Sequence, residues 1–338
     1  MSNLKEILEK KNICKSIWFM RQAGRYLPEF RKIRTENQNF IDLCLNSELS
    51  SEITLQPIRR FNLDSAIIFS DILMVPYALN QKVEFVKDQG PMLDEFSFKK
   101  FLDNDKISFT QKLHPIYKAI QKTRKKLDKK KSLIGFIGAP WTLLIYMLGA
   151  KQNKKELNYK KIKTKDFEVN LILDKLHDYL CSHIENQVNA GADVIQIFDS
   201  WAGLIPPDDL PNFCYIPNLK IVDFCKELKI PVICFPKGLN INYKEFNNVV
   251  KPDCINLDYE VDPIWVKQNL SNVVLQGGLD PKILLSSDKV ILEAAKKYLD
   301  IFRGLPYIFN LGHGLLPETD PDKVDKLVKF YREYQNNE

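Results

Sequence analysis

The stretch Val194-Ile195-Gln196-Ile197-Phe198-Asp199 is nearly continuously apolar and gives way at once to Ser200-Trp201-Ala202-Gly203. A strand with one face in water alternates polar and apolar side chains, whereas a strand covered on both faces reads as an unbroken apolar run. This stretch is of the second kind. Seven similar runs, at residues 17–21, 66–71, 133–138, 232–236, 254–258, 273–277 and 307–311, are spread along the chain, each closed by a polar or glycine-containing turn. Segments with helical apolar spacing lie between most of them, among them residues 48–61, 166–190 and 209–228. Strands buried on both faces and alternating with helices predict an α/β protein built as a single (β/α)8 TIM barrel with parallel strands. A doubly wound open sheet would share the alternation, but no GxGxxG follows a strand candidate and no GxxxxGKS or GxxxxGKT occurs.

The 338 residues, 45% hydrophobic and 11% aromatic, suffice for a large core and exclude a disordered chain. No linker divides them, so residues 1–338 read as one barrel domain. No run has the apolar length of a membrane helix, and the first residues carry Glu6 and Glu9 among lysines without an apolar signal core, so a cytoplasmic protein is expected. The seven cysteines (Cys14, Cys44, Cys181, Cys214, Cys225, Cys234, Cys254) are scattered and contain no CxxC pair, which predicts reduced core residues and no metal site. The net charge of +6 comes largely from lysine runs at residues 124–131 and 151–165. These lack the interleaved aromatics of a nucleic-acid surface and read as solvated loops.

In a parallel barrel the chemistry gathers at the carboxyl ends of the strands. The residues after the apolar runs are polar: Arg21, Asp71, Ser200, Lys237, Asp258, Asp280 and His313. Asp258, and Asp280 ahead of Pro281, suit helix caps or turn formers, and the structural role is expected for both. The first run leads into Arg21-Gln22-Ala23-Gly24-Arg25-Tyr26-Leu27-Pro28-Glu29-Phe30-Arg31, with Arg34 beyond, so four guanidinium groups fall within fourteen residues. A guanidinium fork stays charged and grips carboxylates with two donors, and Gly24 lets the backbone bend so that two forks converge. Ion pairs with Glu29 and Glu36 are the competing account. The strand-end position favours ligand binding for Arg21 and Arg25, while Arg31 and Arg34 fit either role. Asp71 closes Ile68-Phe69-Ser70-Asp71 among apolar neighbours. It either caps a following helix or uses its charge to stabilise a cation developing on a bound substrate.

Two longer motifs, Trp18-Phe19-Met20-Arg21-Gln22-Ala23-Gly24-Arg25-Tyr26-Leu27-Pro28 and Gly135-Phe136-Ile137-Gly138-Ala139-Pro140-Trp141-Thr142-Leu143, resemble those of the uroporphyrinogen decarboxylase family. Phe69-Ser70-Asp71-Ile72-Leu73 with Val75-Pro76, Phe198-Asp199-Ser200-Trp201-Ala202-Gly203, and Asn310-Leu311-Gly312-His313-Gly314 with Leu316-Pro317-Glu318 extend the resemblance over essentially the whole chain. It departs at Ala78-Leu79-Asn80-Gln81, where relatives tend to carry glycine, and in the charged entry to the third run, Lys129 to Ser132.

The resemblance implies loss of carbon dioxide from the four acetate side chains of uroporphyrinogen III, giving coproporphyrinogen III in haem and porphyrin biosynthesis. It implies a tetrapyrrole substrate, no cofactor, no nucleic-acid or membrane partner, and a homodimer. A reduced pyrrole, once protonated, itself takes up the electrons released on decarboxylation, so no metal or organic electron sink is needed. By the matching positions, Asp71, Arg21 and Tyr146 are catalytic: Asp71 faces the pyrrole N–H groups, and Arg21 and Arg25 hold carboxylates. Tyr146, Ser200 and His313 are further substrate contacts, Gln22, Ala23 and Gly24 lend backbone and shape, Phe30 and Phe198 form apolar walls, and Arg34 joins the binding set. Without the family frame, Tyr146 would pack beside Trp141, Ser200 would cap, and His313 would be a turn residue. The proton donor stays open. Two other readings compete. A zinc methyltransferase of related fold would need a closed ligand set, which a chain without cysteine after Cys254 does not easily supply. A non-catalytic polyanion or RNA binder would have no use for Asp71 amid its cations.

Overall fold

Seven of the eight apolar runs form paired strands of one parallel sheet in the computed structural model, which describes residues 3–10, 16–86, 90–153, 156–163, 166–270 and 272–336. In chain order the strands are β1 (Ser65–Ile67), β2 (Val83–Val86), β3 (Gly90–Leu93), β4 (Ser132–Gly138), β5 (Lys151–Asn153), β6 (Glu156–Leu157), β7 (Val194–Asp199), β8 (Val232–Pro236), β9 (Cys254–Leu257), β10 (Val274–Gly277) and β11 (Tyr307–Ile308). The wall runs β1-β4-β7-β8-β9-β10-β11, and β2-β3 and β5-β6 are small antiparallel hairpins set apart from it. Helices such as Lys106–Lys126, Asp166–Asn189 and Asp288–Ile301 connect the wall strands in the expected alternation, and the helix Ser47–Phe61 leads into β1.

The expected first strand, residues 17–21, is reduced to a single parallel bridge between Ile17 and Phe309. Trp18 N–H donates to Phe309 O (3.3 Å), Phe309 N–H to Ser16 O (3.0 Å) and Asp64 N–H to Ile17 O (3.0 Å), so this segment joins β11 to the residue before β1 and fills the eighth position of the ring. Side chains replace the rest of its ladder. Ile17 N–H donates to Asp64 Oδ2 (2.8 Å), Phe19 N–H to Gln22 Oε1 (3.1 Å) and Met20 N–H to Asn310 Oδ1 (3.0 Å). Arg332, on the last helix Pro321–Asn336, grips both oxygens of Asp64 (2.6 and 3.0 Å) and so clamps the closure from outside.

The strand interiors alternate inward and outward as the pleat demands. Ile134, Val194, Ile233, Cys254, Val274 and Ile308 form one cluster with Leu4, Ile7 and Leu8 of the helix Asn3–Lys10. That helix sits at the amino ends of the strands, where Lys5 N–H reaches Ser132 Oγ (3.4 Å). The opposite end is polar and carries the candidate residues Arg21, Asp71, Ser200 and His313.

Two expectations about local structure need correction. Residues 209–228 are not one helix: a 3-10 turn at Pro207–Asp209 and a π turn at Pro211–Tyr215 precede the helix Ile216–Glu227. The lysine run at 124–131 is not simply a solvated loop, because Arg124 to Lys126 close the helix Lys106–Lys126 and Arg124 pairs with Asp193 (2.8 Å). The run at 151–165 holds β5, β6 and the helix Tyr159–Lys163 and falls partly outside the described residues. Six cysteines are free thiols, buried except for the half-buried Cys181, and Cys14 lies outside the described residues. At the family departure, Asn80 adopts φ +64°, a left-handed conformation that Asn tolerates better than most side chains, so it stands in for glycine.

Candidate active site

The end of β1 is fastened before it reaches the site. Phe69 N–H donates to Thr54 Oγ1 (2.9 Å) and Phe69 O accepts from Ser50 Oγ (2.6 Å), both on the helix Ser47–Phe61. Two residues on, Asp71 Oδ1 accepts from Leu73 N–H (2.9 Å), so one oxygen caps the turn that opens the helix Met74–Ala78. The other makes no protein hydrogen bond among the described residues, which leaves it for a ligand. Burial raises the Asp71 pKa above the usual carboxylate value, against the pull of the Leu73 N–H and the Arg21 guanidinium.

Arg21 sits at φ +59°, a left-handed backbone that costs a non-glycine residue roughly 1–2 kcal/mol. Its neighbours hold it there: Met20 is bonded through N–H to Asn310 Oδ1 (3.0 Å) and through its carbonyl to Leu315 N–H (2.9 Å). The Arg21 side chain runs across Gly314, where a Cβ would fall 2.6 Å from Arg21 Cγ and 3.0 Å from Nε. Arg25 is exposed on the same loop. Glu29 is taken by Arg60 (2.8 and 2.9 Å), and among the described residues neither Arg21 nor Arg25 has an ion pair. The competing account of the cluster as surface ion pairs therefore fails for these two.

The other two arginines divide. Arg31 donates to Arg25 O (3.0 Å) and Tyr26 O (2.9 Å) and so braces the loop. Arg34 donates to Asn37 O (2.5 Å) and Gln38 O (2.9 Å) and lies over the Phe40 ring at 5.6 Å. Burial lowers its pKa and the nearby charge of Arg25 adds to that, so the two guanidinium groups share one positive region.

Tyr146 stands on the helix Pro140–Met147 after β4, edge-on to Trp201 at 6.0 Å. Burial raises its phenol pKa and Asp71 raises it further, while Trp201 and Arg21 pull it back, so it is a neutral donor at pH 7. Ser200 follows β7 half-buried, its hydroxyl without a protein partner among the described residues. His313 is half-buried between Gly312, where a Cβ would fall 2.8 Å from the Asp258 carbonyl carbon, and Gly314 under Arg21. Phe198 is half-buried and edge-on to Phe136 (5.7 Å) and Phe235 (6.4 Å). Phe30 is buried behind Phe69 at 5.6 Å, a supporting wall. Gln22 is fully buried and its amide is spent on Ser65 O (3.0 Å) and Phe19 N–H (3.1 Å), so it serves shape. Ala23 and Gly24 are half-buried beside it. Both aspartates are structural, but only Asp280 caps a helix, the 3-10 turn Pro281–Leu285, accepting from Lys282 N–H (2.9 Å), whereas Asp258 holds a turn and a neighbouring segment by accepting from Glu260 N–H (2.8 Å), Gly238 N–H (2.7 Å) and Tyr243 Oη (2.7 Å).

The family model described as Uroporphyrinogen decarboxylase (URO-D) matches residues 6–334. The chain belongs to the uroporphyrinogen decarboxylase family. It is similar to the uroporphyrinogen decarboxylase of Rickettsia bellii (strain RML369-C), with 42% identity over 94% of this chain and 95% of that one. It is similar also to that of Rickettsia felis (strain ATCC VR-1525 / URRWXCal2), with 41% identity over 98% of each chain. Among solved structures it resembles a methyltransferase from Methanosarcina mazei, TM-score 0.78 with 98% of each chain covered, but at 16% identity that likeness is one of barrel fold alone.

Within this uroporphyrinogen decarboxylase framework, two residues beside the named set were missed by sequence reasoning. Trp201 contacts Tyr146 with its edge and carries Lys151 Nζ 5.5 Å from its ring centroid. Asp199, at the last position of β7, is a buried carboxylate. The signal for both was adjacency to Ser200 at a strand end, which picks out a loop without saying which of its side chains is used.

Proposed function

We propose that the chain is a uroporphyrinogen decarboxylase that converts the four acetate side chains of uroporphyrinogen III to methyl groups, giving coproporphyrinogen III without metal or organic cofactor. The observation that carries this is one carboxylate, Asp71, with an oxygen that makes no hydrogen bond among the described residues, within electrostatic reach of the Arg21 guanidinium, which among the described residues has no ion pair. A polycarboxylate with pyrrole N–H groups matches both features. Arg21 and Arg25, with Arg34 behind them, seat side-chain carboxylates, and Ser200 and His313 add hydrogen bonds. Protonation of a pyrrole carbon makes the ring cationic, and the charge of Asp71 stabilises it. The bond from the acetate methylene to its carboxylate then breaks, the electron pair neutralises the ring, and carbon dioxide leaves. Protonation of the resulting methylene and return of the ring proton complete a methyl group, with one proton consumed per acetate.

The same reading takes residues 1–338 as one barrel domain, working in the cytoplasm as a homodimer. Among the described residues no helix is long and apolar enough to cross a membrane. Ile241, Ile264 and Leu285 are 70%, 52% and 47% exposed on segments that follow the neighbouring strands β8, β9 and β10, an apolar rim suited to a second copy.

Anaerobic turnover of uroporphyrinogen, with products separated by carboxylate number, tests the function. Stepwise hepta- to tetracarboxylates are expected, slowed about 100-fold or more in Asp71→Asn, as for loss of one preorganised charge-stabilising group. No product from the folded chain ends the decarboxylase reading. Full activity in Asp71→Asn keeps the reaction and discards the role given to the carboxylate.

A further inference from the structure

The carboxylate that ends β7 has no part in the steps above. Asp199 is 1% exposed, and its oxygens accept from neutral donors: Thr142 Oγ1 (2.7 Å), Asn218 Nδ2 (3.1 Å) and the Cys214 thiol (3.7 Å). A buried carboxylate without a cation costs stability, so its presence calls for something other than folding. The π turn Pro211–Tyr215 leads into the helix bearing Asn218, whose amide also donates to Cys214 O (2.8 Å), so two of the donors are themselves fixed.

The network leads toward the site. Thr142 Oγ1, while donating to Asp199, accepts from Trp201 N–H (3.3 Å), and Trp141 Nε1 donates to Trp201 O (3.1 Å). Both backbone groups of Trp201 are thus tied to the helix Pro140–Met147, which carries Tyr146, and Ser200 lies between Asp199 and Trp201. We propose that Asp199 is a positioning residue for the decarboxylation: its ionised carboxylate, acting through Thr142, sets Ser200 and Trp201 against Tyr146. This rests on the decarboxylase reading of the site.

Burial pushes the Asp199 carboxyl up to about 6. The titratable groups that act on it are Cys214 and Cys234, and burial keeps both as thiols. Once protonated, Asp199 presents an O–H where it had accepted, so the bond with Thr142 has to reverse or the one from the Asn218 amide is lost. Activity therefore falls as pH drops through about 6.

The test compares the intact chain with Asp199→Asn, Thr142→Val, their double variant and Thr142→Ser, following kcat, KM and the pH profile of anaerobic turnover. Intrinsic tryptophan fluorescence over the same pH range follows the Trp201 segment without turnover. Asp199→Asn is expected to lower kcat at least about tenfold with KM changed less, and to erase the acid limb and its fluorescence counterpart. Thr142→Val removes a bond that favours the carboxylate, so it moves both upward in pH, whereas Thr142→Ser leaves them near the parent. The double variant is expected to be no worse than the worse single one. If Asp199→Asn does not fold, the direction of the Thr142→Val shift decides. Unchanged kcat and acid limb in Asp199→Asn, an unmoved limb in Thr142→Val, or multiplying losses in the double variant overturn the proposal. A parent chain without turnover defeats the decarboxylase reading instead, and the fluorescence titration then still judges the role of Asp199.

Discussion

Gly314→Ala separates holding Arg21 in place from holding the fold together. Gly314 has an ordinary backbone conformation, so alanine fits its φ, and replacing glycine at such a position stabilises by about 0.4–1 kcal/mol through the unfolded state. The new methyl would lie 2.6 Å from Arg21 Cγ and 3.0 Å from Nε. Carbon atoms rest at about 3.5–4 Å, so one partner must move by roughly 1 Å. Backbone is not the one to yield: Met20 is pinned by Asn310 and Leu315, and Gln22 N–H by Phe19 O (3.0 Å). The flexible Arg21 stem swings instead, which is cheap for folding. A 1 Å misplacement of a positioning group costs about 100-fold in rate, or about 2.7 kcal/mol. The expected result is kcat/KM for uroporphyrinogen reduced about 100-fold with the melting temperature unchanged or slightly raised. In an Arg21→Ala background the three nearest obstructions to the methyl are gone, and Gly314→Ala is then nearly silent. An equal loss in both backgrounds, or a loss matched by a lower melting temperature, refutes the reasoning.

Four further outcomes are expected. Burial holds His183 neutral down to about 3, against about 6.5 unfolded, so between those values the unfolded chain binds more protons. Its contribution is complete above about 6.5 and lost as pH falls, up to about 5 kcal/mol near pH 3, and His183→Gln should lower the pH midpoint of acid unfolding; an unmoved midpoint contradicts this. Asp199 has the opposite sign: its folded carboxyl, raised to about 6, binds protons more tightly, so stability falls as pH rises from about 4 to 6, by up to about 3 kcal/mol. Urea titrations of Asp199→Asn should show that slope flattened. Asp64→Ala removes the acceptor of both Ile17 N–H and Arg332 and should cost about 2–4 kcal/mol in urea unfolding, with a smaller further loss on adding Arg332→Met. Ile241→Asp should shift sedimentation from dimer toward monomer, and a monomeric parent rules out the rim as an interface.

How much of this was legible follows from where each hydrogen bond comes from. Strands buried on both faces write themselves as continuous apolar runs, so β4, β7, β8, β9 and β10 are visible in the order of residues alone. Residues 17–21 read as one of them because Ile17, Trp18, Phe19 and Met20 are equally buried. Their backbone is satisfied by Asp64 and Asn310, residues 47 and 290 positions away, which no local pattern reveals. The break at Pro211–Tyr215 is similar: apolar spacing persists through a π turn, and only Asp199 explains why Cys214 and Asn218 converge there. Asp71, Arg21 and Arg25 stood out because charge at a strand end is unusual. Asp199 did not, because a carboxylate after a strand looks the same whether it caps a helix or sits buried among neutral donors. Arg31 and Arg34 read alike, and they part only once it is known which carbonyls each reaches, those of Arg25 and Tyr26 for Arg31 and those of Asn37 and Gln38 for Arg34.

The interior of the barrel shows why the fold and the site cannot be treated separately. Above its apolar floor lie four buried amides, Gln196, Asn256, Gln276 and Asn310, the first three linked through Gln276 to the Trp18 indole. Trp18 Nε1 donates to Gln276 Oε1 (2.9 Å), Gln276 Nε2 to Asn256 Oδ1 (2.6 Å) and more weakly to Gln196 Oε1 (3.4 Å), and Asn256 Nδ2 to Leu257 O (3.1 Å). Each buried amide left unpaired would cost about 1–3 kcal/mol, which Gln196, Asn256 and Gln276 avoid by pairing with one another, whereas Asn310 Nδ2 has no partner among the described residues. Aliphatic side chains would fill the same space at no such risk. What they would not supply is direction. Gln196 Nε2 points at Met20 Sδ (3.9 Å) and Asn310 Oδ1 takes Met20 N–H, so two of the four amides converge on the residue before Arg21. A left-handed arginine persists only where its surroundings over-determine it. The amide layer, Leu315 and the bare Cα of Gly314 do so together, and the strain at Arg21 is carried by the core of the barrel rather than by the loop that displays it.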